Sequence, residues 1–256
     1  MQAEALVRTA RLPWWDQFPL ILRMQFAEYR DSAAFMALNS FLMPVAILWF
    51  FGDFVAGRGP ESTWFLAGNA VMTVAFGSAN FSLWRIGQLR LNKELTFYPS
   101  LPISKPVFVG TVFCLSQIAT LPGLLCSMVA GHLLLGIPMA SIMAALPLLL
   151  LAAVALTVVA SAAGAAAASY GRLNLYGNLI TFVVIFLSPS MVPFERLALP
   201  FRVTSYLLPT GQASLALTEA FAGRFGPRFW LLCALLTVWT VAAGVYGFRR
   251  MNWRND

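Results

Sequence analysis

Apolar residues in this chain fall into six long runs, near residues 33–52, 62–84, 106–135, 140–169, 175–193 and 229–248. None of the six holds an Asp, Glu, Lys or Arg in its interior. A hydrocarbon core about 30 Å thick is crossed by roughly 20 helical residues, so each run predicts a membrane span. The runs are continuous rather than alternating, which predicts helices and argues against barrel strands. The expected fold is an all-α membrane protein of one domain, residues 1–256, with six transmembrane helices.

The segments between the runs carry their own patterns. Residues 1–32 begin with a leader in which Trp14, Trp15 and Phe18 cluster, as rings at headgroup level do. Beyond Pro19, Leu22, Phe26 and Tyr29 recur at helical spacing while Arg23, Gln25, Glu28 and Arg30 lie elsewhere, predicting an amphipathic helix in the interface plane. A solvated basic leader is the alternative reading. The segment is read as lacking a cleavable signal, because no short apolar run ends at a small-residue cleavage site.

Over 87–104, Leu91, Leu95 and Tyr98 repeat at helical spacing opposite Asn92, Lys93 and Thr96, and Pro99 and Pro102 end the pattern. A short amphipathic helix in a polar loop rests its apolar face on headgroups or in a groove of a partner protein. Residues 194–226 are apolar yet cut by Pro200, Pro209 and the flanking Pro193 and Pro227. Neither half is long enough to cross, and two short helices dipping back into the outer membrane face are expected.

Two runs are striped with polar residues. Asn69, Thr73, Gly77 and Asn80 follow helical spacing in the second, and Asn174, Asn178, Thr181 and Ser188 in the fifth. Polar groups at membrane depth turn toward protein or a water-filled path, so the stripes either line a path or bond helix to helix. The small-residue run 160–169 lets neighbouring backbones approach closely.

Charge sets the orientation. The chain is 59% hydrophobic and 11% charged, with a net charge of +7. Placing the N-terminus in the cytoplasm puts twelve cations inside: Arg8, Arg11, Arg23 and Arg30, then Arg85, Arg90, Lys93 and Lys105, then Arg172, then Arg249, Arg250 and Arg254. Five lie outside, at Arg58, Arg196, Arg202, Arg224 and Arg228. Both termini are therefore expected in the cytoplasm. The basic excess is topogenic, and no basic-aromatic cluster outside the runs points to nucleic acid.

Candidate chemistry is sparse. Cys114, Cys126 and Cys233 sit inside apolar runs and form no CxxC pattern. His132 has no Asp, Glu or Cys neighbour at ligand spacing and reads as structural, so no metal site is expected. No run carries the mid-membrane carboxylate expected of a proton- or sodium-coupled carrier. There is no GxxxxGK[ST], so the chain holds no P-loop of its own. No nucleophile–base pair or carboxylate cluster recommends a membrane enzyme.

Taken in order, several segments resemble the type-2 ABC exporter permeases, and the resemblance runs through nearly the whole chain. Residues 20–31 followed by a run containing Pro44 look like that family's interface helix and first helix. Residues 93–104 look like its coupling loop, where a carboxylate-bearing helix precedes a Pro-Ile-Ser step. Residues 188–193, 199–200 and 208–211 resemble its outer re-entrant region. One departure is that Leu95-Thr96 follows Glu94 where many members carry Gly-Thr.

The resemblance implies a permease in a bacterial-type inner membrane, paired with a second permease copy and two ABC ATPase subunits that hold the ATP and Mg. It implies that Leu91, Lys93, Glu94, Leu95 and Tyr98 contact the ATPase. It places Asn69, Thr73, Asn80, Asn178, Thr181 and Ser188 along a central path, and the abundant Phe and Trp side chains fit an amphipathic, drug-like or lipid-like cargo. A glycan exporter permease and a non-transporting membrane scaffold are the alternatives.

Overall fold

The computed structural model describes residues 13–55, 60–94, 104–187 and 193–250; Leu95, Tyr98 and Ser188 lie outside them. Among the described residues all regular structure is helical and no strand occurs. In chain order, α1 covers Trp14–Val55 and α2 Pro60–Val74, a π turn fills Ala75–Ala79, and α3 covers Asn80–Leu91. Next come α4 (Lys105–Leu135), α5 (Met139–Ala166) and α6 (Tyr170–Phe182), the last running into a second π turn, Val183–Leu187. A 3₁₀ turn at Phe194–Arg196 leads to α7 (Leu199–Leu207), α8 (Pro209–Phe221) and α9 (Pro227–Arg250).

Among the described residues, three helices are long and apolar enough to cross a membrane: Lys105–Leu135, Met139–Ala166 and Pro227–Arg249. This is the composition of a multi-pass membrane protein. Many of their large apolar side chains, Leu125, Leu133, Leu150, Trp230 and Val238 among them, face outward, which suits helices solvated by lipid rather than water.

Two boundaries differ from those expected. The separate interface helix over 1–32 and span over 33–52 are replaced, from Trp14 onward, by one uninterrupted helix of 42 residues. At 1.5 Å per residue it extends roughly 60 Å, about twice the hydrocarbon thickness, so part of it lies outside that layer. The second run likewise does not stop at Trp84 but continues as α3 to Leu91, drawing Arg85 and Arg90 into a helix.

The N-terminal part of α1 docks on the start of α4 through a face different from the apolar one read in the sequence. Gln17, Ile21 and Gln25, four apart, are buried there, while Phe26 is exposed along with Trp14, Trp15 and Leu20. Gln25 Nε2 donates to Thr111 Oγ1 at 3.0 Å, and the Ser104 N–H to Gln17 Oε1 at 3.0 Å. Ile21 joins Ile86, Leu89, Val107, Phe108, Val112 and Ala165 in a small apolar cluster. Both glutamine side chains bond to α4 and its start, with Gln25 Oε1 buried and unpartnered, and the aromatic face is left outward.

The small-residue run does bring backbones together. A Cβ on Gly164 of α5 would sit 2.4 Å from the Leu83 carbonyl oxygen, so only glycine permits this approach to α3. Two short helices occupy the 194–226 segment, as expected of its prolines. Of them α8 is almost wholly buried, from Pro209 to Leu217 without a break, against α2, α5 and α9.

Candidate functional site

Side-chain contacts gather the loops of the chain at two ends of the helical bundle. At one end, Arg85 of α3 is 4% exposed and forms a two-pronged ion pair with Glu28 of α1, its Nη1 and Nη2 donating at 2.9 and 2.7 Å to Oε1 and Oε2. Glu94 lies 3.9 Å from the same guanidinium. Arg90 donates to the Ala165 carbonyl, Tyr170 Oη to Asn92 Oδ1 at 2.5 Å, and Lys105 Nζ to the Phe248 carbonyl at 2.6 Å. Residues 17–28, 85–94, 104–105, 165–170 and 248 thus share one end. At the other, Glu61 of α2 accepts from Arg196 at 3.0 Å, and Glu219 of α8 from Arg224 and Arg228.

Of the residues expected to meet a partner, Leu91, Lys93 and Glu94 are described. Leu91 ends α3 and is half-buried against the core. Lys93 adopts φ 59°, a left-handed conformation that turns the chain sharply out of the helix. Asn92 Nδ2 donates to Glu94 Oε1 at 3.0 Å and holds that turn closed. Leu95 and Tyr98, the apolar pair, fall outside the described residues.

The polar stripe of the second run is divided. Asn69 is 1% exposed, and its Nδ2 donates to the Pro44 carbonyl at 2.9 Å. Thr73 is fully buried, bonded to the Asn69 carbonyl and lying 3.4 Å from Ser127 Oγ. Both bind α2 to its neighbours within this chain.

Asn80, by contrast, is partly exposed beside α6. Its Oδ1 would be 3.7 Å from a Cβ on Gly177, and like Asn69 Oδ1 it is buried without a hydrogen-bond partner. Asn178, next in sequence to Gly177, is exposed, and Thr181 partly so. The structure therefore brings Asn80 next to the helix carrying Asn178 and Thr181, and sets Asn69 and Thr73 apart from them. The π turn Ala75–Ala79 lies between them, on top of a rise of about 1.5 Å per residue along the axis. An ordinary helix advances about 100° per residue, and the π turn adds one residue to a turn, so a stripe drawn through 69–80 is rotated between Thr73 and Asn80.

A second polar set was not singled out from the sequence. Gln117 Nε2 donates to Thr157 Oγ1 at 2.9 Å, Thr157 to Ser78 Oγ at 3.0 Å, and Ser82 and Ser161 meet at 2.6 Å. The chain of hydroxyls joins the π turn, α3, α4 and α5. Ser78 and Ser82 are one ordinary turn apart, as are Thr157 and Ser161, and that doubled i, i+4 spacing was the available signal.

His132 Nδ1 lies 2.9 Å from the Ile137 carbonyl and closes the turn that ends α4 at Gly136, φ 69°. Among the described residues no group of three His, Cys, Asp or Glu side chains is placed to hold a metal ion. No protein-family model matches the chain, and no curated protein matches it.

Proposed function

We propose that the chain is the membrane subunit of an ATP-driven exporter, a six-span permease that works with a second copy and with two separate ATPase subunits. The observation that carries this reading is the placement of Arg85. Buried in α3, it holds Glu28 of α1 and stands beside Glu94, at the start of the loop read as the coupling segment. A loop that receives force from a partner needs a stiff attachment to the spans it moves, and a two-pronged guanidinium pair supplies one.

Three further crossings complete the six: the C-terminal half of α1, α2 running through its π turn into α3, and α6 with the second π turn. The π turns re-aim side chains without ending the helix. The end that gathers Glu28, Arg85, Lys105 and Phe248 is cytoplasmic by its cation excess, which leaves α7 and α8 as the outer, re-entrant pair. Asn80, Asn178 and Thr181 are the narrowed candidates for a path between two copies, and the cargo class is amphipathic, drug-like or lipid-like.

The deciding experiment is copurification. A tagged chain isolated from its native membranes in mild detergent should bring down a nucleotide-binding subunit with vanadate-sensitive ATP hydrolysis. Tyr98→Ala should cost most of that association, since buried aromatic anchors carry roughly 2 kcal/mol or more, about thirtyfold in affinity. Absence of any ATPase from the wild-type preparation would sink the reading. For the path, cysteines replacing Asn178 and Thr181, in a background lacking Cys114, Cys126 and Cys233, should react with a water-soluble thiol reagent, while those replacing Asn69 and Thr73 stay inert. Equal reactivity at all four positions would remove the distinction.

A further inference from the structure

Helix α8 ends in a way that sets two arginines on one carboxylate. Gly223 takes φ 69°, the left-handed conformation that closes a helix, and the Arg224 N–H returns to the Glu219 carbonyl at 2.8 Å. The Arg224 side chain folds back with it, its Nε donating to Glu219 Oε2 at 2.8 Å, while Arg228 Nη1 of α9 reaches Oε1 at 3.4 Å. These three residues line a cavity of about 330 Å³, together with Trp64 of α2 and the 193–196 turn.

The polar groups of this cavity are out of balance. Glu61 is held by Arg196 at 3.0 Å, so that carboxylate is already engaged. Glu219 is shared by two guanidiniums, which leaves one positive charge in excess. Each of the two gives Glu219 a single N–H group, and among the described residues neither side chain donates elsewhere. Arg228 is otherwise stacked over Phe194, 5.3 Å from the ring centre. The Trp64 indole N–H is buried with no acceptor. Glu195 has no ion-pair partner among the described residues, but it is exposed on its turn, where water and salt screen it.

The depth of the cavity is set by α9. Arg228 stands in the first turn of a helix long and apolar enough to cross a membrane, and Phe225, Phe229 and Trp230 pack edge to face beside it at 5.1 and 5.2 Å. Aromatic side chains collected at the end of a span mark the headgroup layer, so the cavity opens among headgroups.

We propose that this cavity binds the headgroup of an anionic phospholipid without an amine, of the phosphatidylglycerol kind. The phosphate oxygens accept from the remaining N–H groups of Arg224 and Arg228, whose planar forks suit them, and from the Trp64 N–H. The net negative charge of the lipid meets the excess positive charge on Glu219 and its two arginines. A zwitterionic headgroup brings the same phosphate but sets a further cation beside two guanidiniums, with Glu61 engaged and only the screened Glu195 to receive it. Phosphate thus anchors the lipid and net charge selects it. The assignment is independent of the exporter reading.

Anchoring and selection separate in native mass spectrometry of the purified full chain, in neutral-detergent micelles holding equal amounts of dioleoyl phosphatidylglycerol, phosphatidylethanolamine and phosphatidylcholine. Wild type should retain the glycerol lipid about fivefold over either zwitterion, the effect of one net charge at a membrane surface. Arg224→Gln leaves Arg228 and Glu219 as a balanced pair and should bring that ratio near one. Trp64→Phe keeps a ring in place and removes a donor to the phosphate that all three lipids share, so it should lower retention of all three about tenfold and leave the ratio unchanged. Glu195→Gln, at an exposed position, should increase the glycerol lipid bound without loss of either zwitterion, and it carries the test if Arg224→Gln does not fold. Equal retention of the three lipids by wild type, a ratio unmoved by Arg224→Gln, or full retention in Trp64→Phe would overturn the proposal. So would a loss of zwitterion in Glu195→Gln, which would assign an ammonium group to the cavity. Soluble glycerol phosphate in millimolar excess should leave the lipid bound; its displacement of the lipid would assign the site to a soluble phosphate ester instead.

Discussion

Replacing Glu28 with alanine is expected to destabilise the protein far more than replacing its partner Arg85 with methionine. The pair is asymmetric: Arg85 is 4% exposed, whereas Glu28 is 48% exposed. Removing the carboxylate leaves a buried guanidinium with its main counter-charge gone, and such a change costs up to about 3–5 kcal/mol. Glu94 stays at 3.9 Å and partly compensates, so about 2 kcal/mol is the expected loss. Arg85→Met removes the buried charge itself, fills a similar volume, and leaves Glu28 to be hydrated, so it should cost less than about 1 kcal/mol. Thermal unfolding in detergent should therefore rank wild type near Arg85→Met, with Glu28→Ala well below. Combining the two substitutions should recover most of the Glu28→Ala deficit, because the charge that the single change strands is then absent. Equal losses in the two single variants would show that Arg85 is not left as a costly buried charge when Glu28 is removed.

How far the sequence could be read is visible in the same region. The apolar runs located the three helices able to cross a membrane, because twenty uncharged residues in succession have few other solutions. Helix ends were less legible. Arg85 was expected in a loop because a buried cation is costly, and it lies inside α3 because Glu28, 57 positions earlier, offsets that cost. A partner that distant leaves no local mark on the pattern of residues. The N-terminal helix posed a related difficulty: its aromatic face was plain, yet the face that packs on α4 is built from Gln17, Ile21 and Gln25, whose amides bond Ser104 and Thr111. The π turn at Ala75–Ala79 misled most directly. It packs closely on α4, Gly77 lying where a Cβ would meet Thr120 Oγ1 at 2.5 Å, and nothing in the order Ala-Phe-Gly-Ser-Ala announces the extra residue. A stripe continued through it at ordinary spacing joins Asn69 and Thr73 to Asn80, which the structure separates.

Gly164→Ala is expected to be the most disruptive single-methyl addition in the spans, and Gly244→Ala a near-neutral control of the same chemistry. At Gly164 the added carbon would lie 2.4 Å from the Leu83 carbonyl oxygen and 3.3 Å from the Gly87 nitrogen, both backbone atoms of α3 that no rotamer change can move aside. At Gly244 the nearest atom is Val158 Cγ1 at 3.6 Å, an ordinary contact. Overpacking costs about 1–3 kcal/mol when side chains can adjust. Here α3 and α5 must separate, and with them the Ser82–Ser161 bond of 2.6 Å and the Thr157–Ser78 bond of 3.0 Å, each contributing about 0.6 kcal/mol by the average for hydrogen bonds between membrane helices. A loss of about 3 kcal/mol or more follows for Gly164→Ala, a large part of the roughly 5–15 kcal/mol by which folded domains are stable. Gly244→Ala should stay within about 0.5 kcal/mol, aided by the greater helix propensity of alanine. Reversible unfolding in mixed micelles of rising SDS fraction would measure both. Similar unfolding midpoints for the two variants would show that α3 and α5 do not approach as closely at Gly164 as the backbone geometry requires.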